Sequence, residues 1–115
     1  MLYVIGQWKV SKENSKKHYA LVMEEVRWWK ANPKKSYFVH STYGVLETED
    51  QSVETWMYID TYRNRKSYDK FLEVWQKDNP EYAEFFKFKG EWELLIVPDS
   101  YIEMIFPVKP ELRIS

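Results

Sequence analysis

Apolar and polar residues alternate with two different periods along the chain, and these periods predict its secondary structure. A period of two, typical of β-strands, marks four segments that are rich in Val, Ile, Tyr and Trp. A period between three and four, typical of amphipathic helices, marks three others. The predicted strands are residues 2–10, 35–45, 53–62 and 100–106. The predicted helices run from residue 11 to about 31, from 64 or 67 to about 77, and from 80 to 90.

Capping residues set the predicted helix ends. Ser11, and either Asn64 or Ser67, can accept a hydrogen bond from an unpaired amide in the first turn of a helix. Gly90 is expected to end the third helix, because glycine commonly follows a helix C-terminus. Residues 91–97 fit a strand and a helix equally well.

The first two helices are predicted to bury one apolar stripe each and to expose their charged residues. Glu24 and Glu25 are therefore expected in solvent, and His18 is expected at the surface or at the margin of the stripe. The predicted stripe of the first helix is Tyr19, Val22, Met23, Val26 and Trp29, with Lys30 at its edge. That of the second helix is Tyr68, Phe71, Leu72 and Trp75.

The order of elements predicts an α+β fold of the ferredoxin-like type. Two β-α-β halves, with an extra helix before the last strand, point to a four-stranded antiparallel sheet that carries its helices on one face. No linker divides the chain, so residues 1–106 are predicted as one domain. Residues 107–115 contain two prolines and are expected to form an extended C-terminal tail.

A two-layer fold leaves one face of its sheet without helices, and here that face is predicted to be aromatic. We expect the smoother aliphatic strand positions to face the helices. The other strand positions would then form an exposed aromatic patch. A patch of this size would be unusual on a monomer, so it indicates a partner, a ligand or both. The residues predicted on this face are Tyr3, Gln7, Phe38 or His40, Trp56, Tyr58, Tyr101 and Glu103.

Composition removes several classes of function. The chain has six Trp, nine Tyr and six Phe among 115 residues but no Cys, which excludes disulfides, a thiol nucleophile and cysteine zinc sites. No apolar run reaches the ~18 residues of a membrane span, so no membrane association is predicted. A net charge of −1 gives no drive toward nucleic acid, and the third strand lacks the basic and glycine residues of an RNA-recognition motif. A cytoplasmic protein, with a composition that fits a thermophile, is expected.

The element order and two local features resemble a known superfamily. The features are the strand-to-helix passage ETWMYIDTYRNRKSYDKFLEVW and the helical insert NPEYAEFFKFKG before the last strand. Over residues 1–106 the chain is similar to the dimeric α/β barrels, which include antibiotic-biosynthesis-type monooxygenases, haem-degrading monooxygenases and NIPSNAP-like proteins. The resemblance implies a homodimer in which two sheets close a barrel, with a pocket inside the barrel or between sheet and helices.

Candidate chemistry centres on His40, Asp60 and Glu103. A histidine near its ordinary pKa, or a strand carboxylate whose pKa is raised by burial, can transfer protons. The alternatives are a barrel-lining histidine and carboxylates that form salt bridges. Residues 64–90 contain no His, so the iron ligand that the resemblance implies for haem-degrading members is missing, and no cofactor or metal is predicted.

Two functions stay open at this point. The first is a cofactor-independent, monooxygenase-like enzyme on a small aromatic substrate, which Trp56 and Tyr58 would pack and which His40 and Gln7 would orient or deprotonate. Tyr3, Phe38 and Tyr101 would complete that binding surface. The second is a non-catalytic barrel protein that binds a ligand or assembles with itself, in which the aromatic residues form only core and interface.

Overall fold

The computed structural model describes residues 1–114, which form a four-stranded antiparallel sheet and three α-helices. The strand order is β2-β3-β1-β4, so β1 and β3 lie at the centre, as the ferredoxin-like arrangement predicts. The strands are β1 Leu2–Ser11, β2 His40–Leu46, β3 Val53–Tyr62 and β4 Ile102–Pro107. The helices are α1 Ser15–Ala31, α2 Arg65–Val74 and α3 Ala83–Glu93.

Most predicted elements are confirmed, and the differences lie at their ends. A 3-10 turn at Lys12–Asn14 delays the start of α1, and another at Pro33–Lys35 delays β2. The side chain of Asn64 caps α2 by accepting the amide of Ser67. Gly90 does not end the third helix, which runs to Glu93.

The continuation of α3 through Gly90 has a packing cause. Glycine inside a helix costs about 1 kcal/mol relative to alanine. Trp92, two residues further on, is 3% exposed and packs in the core, which offsets that cost. Residues 91–97 therefore complete the helix and then form a short bridge in which Ile96 pairs with Val10.

The buried face of α1 is rotated relative to its predicted stripe. Its buried residues are His18, Val22, Glu25 and Trp28, whereas Tyr19 is 56% exposed. The predicted placement of Glu25 in solvent and of His18 at the surface is therefore wrong. Both side chains find hydrogen-bond partners on other elements, which is what permits their burial.

The predicted assignment of the two sheet faces is wrong for β3 and β4. Val4 and Gly6 are buried, Val4 pairs with Asp60, and Gly6 pairs with both Tyr58 and Glu103. Directly paired residues point to the same side of a sheet, so these polar and aromatic residues lie under the helices. The face without helices carries instead the more aliphatic positions of β3 and β4. It also carries the positions of β1 and β2 that point away from the helices. Its members are Tyr3, Ile5, Gln7, His40, Met57, Ile59, Ile102, Met104 and Phe106.

Two clusters of buried side chains fill the space between sheet and helices. One is built around Trp28, Tyr62, Phe71 and Phe85, and the other around Trp8, Trp56 and Trp92. The tail is tied to β1, because the amide of Val108 donates to the carbonyl of Met1, and its Pro110–Leu112 segment is a 3-10 turn rather than fully extended. Ser115 lies outside the described residues.

Candidate functional site

A cavity of about 70 Å³ lies between the sheet and the helices. Aromatic rings form much of its wall, and three carboxylates and one lysine interrupt them. These rings include Tyr43, Tyr58, Tyr101, Trp75 and Trp92. The charged residues are Glu25, Asp60, Glu103 and Lys89. Apolar walls with a few convergent polar groups are typical of small-molecule sites.

Asp60 is the carboxylate on the central strand β3. The hydroxyl of Ser41, its cross-strand neighbour on β2, donates to Asp60 Oδ1 at 2.5 Å. No described residue donates to Oδ2. Burial raises the pKa of Asp60 to about 7, the Ser41 hydrogen bond opposes this shift, and the charge of Glu103 adds to it. Asp60 can therefore exchange a proton near neutral pH through its free oxygen.

Two tyrosines and Glu103 form a hydrogen-bonded group beside Asp60. The Tyr58 hydroxyl lies 2.9 Å from both the Tyr101 hydroxyl and Glu103 Oε2, and the Tyr101 hydroxyl lies 3.3 Å from the same carboxylate oxygen. Burial raises the pKa values of Tyr58 and Tyr101 above the ordinary value of 10.0. Both phenols therefore stay protonated at neutral pH and act as hydrogen-bond donors.

Gly6 makes room for the ring of Tyr58. A Cβ atom on Gly6 would lie 2.5 Å from Tyr58 Cζ and 2.8 Å from Cδ2, and closer still to Cε2. The Tyr58 ring thus lies directly over the backbone of β1, the strand between β3 and β4. This position lets a β3 side chain reach Glu103 on β4.

Glu25 of α1 is the second carboxylate with a shifted pKa. The Tyr43 hydroxyl donates to Oε2 at 2.8 Å and the Trp92 indole to Oε1 at 2.5 Å. Burial raises the pKa of Glu25 to about 7, although both hydrogen bonds and the charge of Lys89 oppose the shift. Since both oxygens of Glu25 already accept hydrogen bonds, it is held more firmly than Asp60.

Lys89 and Trp75 complete the set of polar groups. The Lys89 ammonium lies 6.0 Å from the ring centroid of Trp75 and 5.9 Å from that of Trp92, and it forms an ion pair with Glu93. The indole N–H of Trp75 is shielded from solvent and has no hydrogen-bond partner in the described part of the chain. A buried donor without an acceptor is costly, so it marks a place where a ligand or a water can bind.

The cavity collects only some of the predicted site residues. Asp60, Tyr58, Tyr101 and Glu103 line it together. Tyr3, Gln7 and His40 lie on the face without helices, so within one chain His40 does not share a pocket with the carboxylates. Phe38 packs against Trp29 in the core.

Trp56 belongs to the second core cluster, and His18 packs against it. The Trp8 indole donates to His18 Nε2 at 2.9 Å, and the His18 ring meets Trp56 edge-on with centroids 4.9 Å apart. Burial lowers the pKa of His18 to about 4, so it is neutral at physiological pH. Its Nδ1 has no partner among residues 1–114.

Sequence reasoning missed Glu25, Tyr43, Trp75 and Lys89 as cavity residues. Glu25 breaks the apolar period of α1 on the face that becomes buried. Its hydrogen-bond partner Trp92 is 67 positions away, so the local sequence pattern does not indicate that Glu25 is buried. Among residues 1–114, no three His, Asp or Glu side chains converge in a way that would hold a metal ion. No helix in this range is long and apolar enough to cross a membrane.

Comparison with protein-family models and with curated proteins gives no match. Solved structures do match over nearly the whole chain. An antibiotic biosynthesis monooxygenase aligns with a TM-score of 0.66 and 14% identity over 96% of this chain and all of its own. A NIPSNAP family protein from Agrobacterium tumefaciens gives 0.63 and 15%, over 95% of this chain and 86% of its own.

The cofactor-independent oxygenase SnoaB from Streptomyces nogalater gives a TM-score of 0.59 and 11% identity over 96% of both chains. Identities this low establish a common fold and leave the activity open. The chain therefore has the ferredoxin-like fold that antibiotic biosynthesis monooxygenases and NIPSNAP proteins share.

Proposed function

We propose that this protein is a homodimer whose cavity binds a small aromatic molecule and oxidises it without a cofactor, as a monooxygenase-like enzyme. The observation that carries the proposal is Asp60, a carboxylate with one free oxygen and a pKa of about 7 in an aromatic-lined cavity. The likeness of the fold to SnoaB, a cofactor-independent oxygenase, supports the reaction class. Perturbed carboxylates in clefts are typical of acid–base sites.

The residues present fit the demands of such a reaction. Without a cofactor, the substrate itself supplies the electrons: the ring CH₂ that a phenol carries in its keto form reacts with O₂ to give a carbonyl and water. Removing a proton from the substrate first makes it a better electron donor, and Asp60 Oδ2 is the acceptor for that proton. Glu103 and the hydroxyls of Tyr58 and Tyr101 can hold a substrate hydroxyl beside Asp60 by exchanging hydrogen bonds within their group.

The size of the cavity limits the substrate. Pockets for drug-sized ligands have about 300–1,000 Å³, whereas this cavity has about 70 Å³. Even a single aromatic ring requires part of the wall to move. Tyr101 is 37% exposed and precedes the edge strand β4, so it is the wall residue best placed to swing outward.

Oxygen uptake tests the catalytic proposal. Purified wild-type protein is incubated with a panel of mono- and dihydroxybenzenes and dihydroxynaphthalenes, and O₂ consumption is followed with an electrode. Asp60→Asn should reduce the rate by about 10²-fold or more, the usual contribution of a general base. Asp69→Asn, which removes an exposed carboxylate on α2, is the matched control. Equal rates for wild type and Asp60→Asn would contradict the role of Asp60.

The face of the sheet without helices supports the homodimer. Ile102, Met104 and Phe106 of β4 are between 42% and 58% exposed on it, and they lie beside Ile5 and Tyr3 of β1. A second copy would remove this apolar surface from water. Light scattering should give twice the chain mass at micromolar concentration. Met104→Lys should shift the protein toward monomer, whereas Glu91→Gln, an equal charge change on α3, should not.

The alternative function is a non-catalytic barrel protein that binds or assembles only. The small volume of the cavity favours it, because the chain's own side chains fill most of the space between sheet and helices. Dimerisation together with no O₂ uptake on the whole panel would support this alternative over the enzyme.

A further inference from the structure

We infer that the ligand of the cavity is an aromatic molecule that carries a protonated amine, an inference that rests on the proposed small-molecule site and gives its substrate class. Three features point to this chemistry: the surplus of carboxylates, the aromatic faces beside them and the unpaired donor on Trp75.

The charges of the cavity wall are unbalanced. Glu25, Asp60 and Glu103 face one lysine, Lys89, whose ammonium is already paired with Glu93. Taking a carboxylate out of water without an opposite charge is costly. A ligand cation would supply that charge, and Asp60 Oδ2 is free to accept its hydrogen bond.

The aromatic wall suits a cation as well. The negative face of an indole ring attracts ammonium groups within about 6 Å of its centroid. Lys89 already lies at this distance from both Trp75 and Trp92, so these two faces accept a cation in the protein itself. The same side chain occupies surface that a ligand cation would use.

The indole N–H of Trp75 adds a requirement for an acceptor. It is buried and unpaired, and Trp75 lines the cavity. A hydroxyl or ether oxygen on the ligand would satisfy it. The ligand that meets all three features is a single ring with an aminoalkyl group and an oxygen substituent. An anionic ligand would face three carboxylates, and a neutral hydrocarbon would leave Asp60 Oδ2 and the Trp75 N–H unpaired.

Three compounds of similar shape test the inference: benzylammonium, benzyl alcohol and benzoate. Binding is measured by calorimetry and by ¹H–¹⁵N chemical-shift changes at about pH 8, above the pKa values of Glu25 and Asp60. Benzylammonium should bind at least about tenfold more tightly than benzyl alcohol, because it gains a charge-assisted hydrogen bond and contacts with indole faces. Benzoate should not bind.

Variants of the cavity residues test whether the cavity wall causes the preference for benzylammonium. Asp60→Asn should weaken benzylammonium binding about tenfold or more, and Lys89→Met should strengthen it because a competing cation is removed. Asp69→Asn on the surface of α2 should change nothing. All titrations are repeated in Tyr101→Ala, which enlarges the cavity and prevents size exclusion from hiding binding.

The outcomes separate this inference from the proposed reaction. Benzyl alcohol or benzoate binding as tightly as benzylammonium would overturn the amine preference and leave a small-molecule site. Binding of none of the three, in both wild type and Tyr101→Ala, would overturn the amine preference and the site together. Tight benzylammonium binding without O₂ uptake would support the inference while removing the monooxygenase activity.

Discussion

Gly6→Ala should destabilise the protein far more than an alanine substitution in a strand usually does. The new methyl group would lie 2.5 Å from Tyr58 Cζ, well inside van der Waals contact, so the ring must leave its place over β1. Overpacking of this kind costs about 1–3 kcal/mol. Displacing the ring also breaks the Tyr58 hydrogen bond to Glu103, and bonds to charged groups are worth about 1.5–3 kcal/mol.

Part of this cost is recovered, because alanine is favoured over glycine inside a strand by roughly 0.5–1 kcal/mol. The net loss is therefore about 2–5 kcal/mol, which for a chain of this length lowers the Tm by roughly 8–20 °C. Thermal and urea unfolding followed by circular dichroism measures it. Gly44→Ala is the matched control, since a Cβ there meets nothing within 4 Å and the Tm should hold or rise.

A double-mutant cycle identifies the cause. If Tyr58 is the group that a Cβ displaces, Gly6→Ala should cost little in a Tyr58→Ser background, where no ring occupies the space. An equal loss of stability in both backgrounds would refute the steric explanation and would place the effect in the backbone of β1 instead.

Further predictions concern pH and the tail. The pKa of Asp60 is raised from 3.8 to about 7, so the folded state holds a proton that the unfolded state releases, and stability falls as pH rises between these values. Asp60→Asn should thus raise the free energy of unfolding at pH 8 by up to about 4 kcal/mol. At pH 4 the increase should be much smaller, and urea unfolding at both pH values measures the difference. His18, with its pKa lowered to about 4, should be neutral at pH 6 with its proton on Nδ1, because Trp8 donates to Nε2; imidazole ¹⁵N shifts of a protonated ring would contradict this. Deleting residues 108–115, which include exposed Leu112, should weaken the proposed dimer and leave the monomer folded, as sedimentation and circular dichroism can show together.

The fold was predictable because its signals are local. Strand β3 begins and ends where the alternation of its residues predicts, and Asn64 caps α2 as its type and position suggest. Such signals need only neighbours within a few positions. The order of elements then left few topologies open, and the ferredoxin-like one is correct.

The site was harder to predict because its polar residues depend on distant partners. Asp60 and Tyr58 were selected by residue type and both line the cavity, but the selection assumed that the helices cover the more aliphatic side of the sheet. The helices instead cover a cavity in whose wall Ser41 bonds Asp60 and Glu103 bonds Tyr58. Burial of Glu25 requires Trp92, which lies 67 positions further along the chain, and no local pattern contains that information.

The reach of Tyr58 across β1 has a consequence for local unfolding. Within residues 1–114, strand β4 pairs only with β1, and it carries Glu103, so a wall of the cavity belongs to an edge strand with one neighbour. The Tyr58 hydroxyl ties that edge to β3 without a backbone hydrogen bond between them. Separation of β4 from the sheet therefore opens the cavity in the same event. Amide hydrogen exchange in residues 102–107 should accordingly slow when the cavity is filled and quicken when Tyr58 loses its hydroxyl.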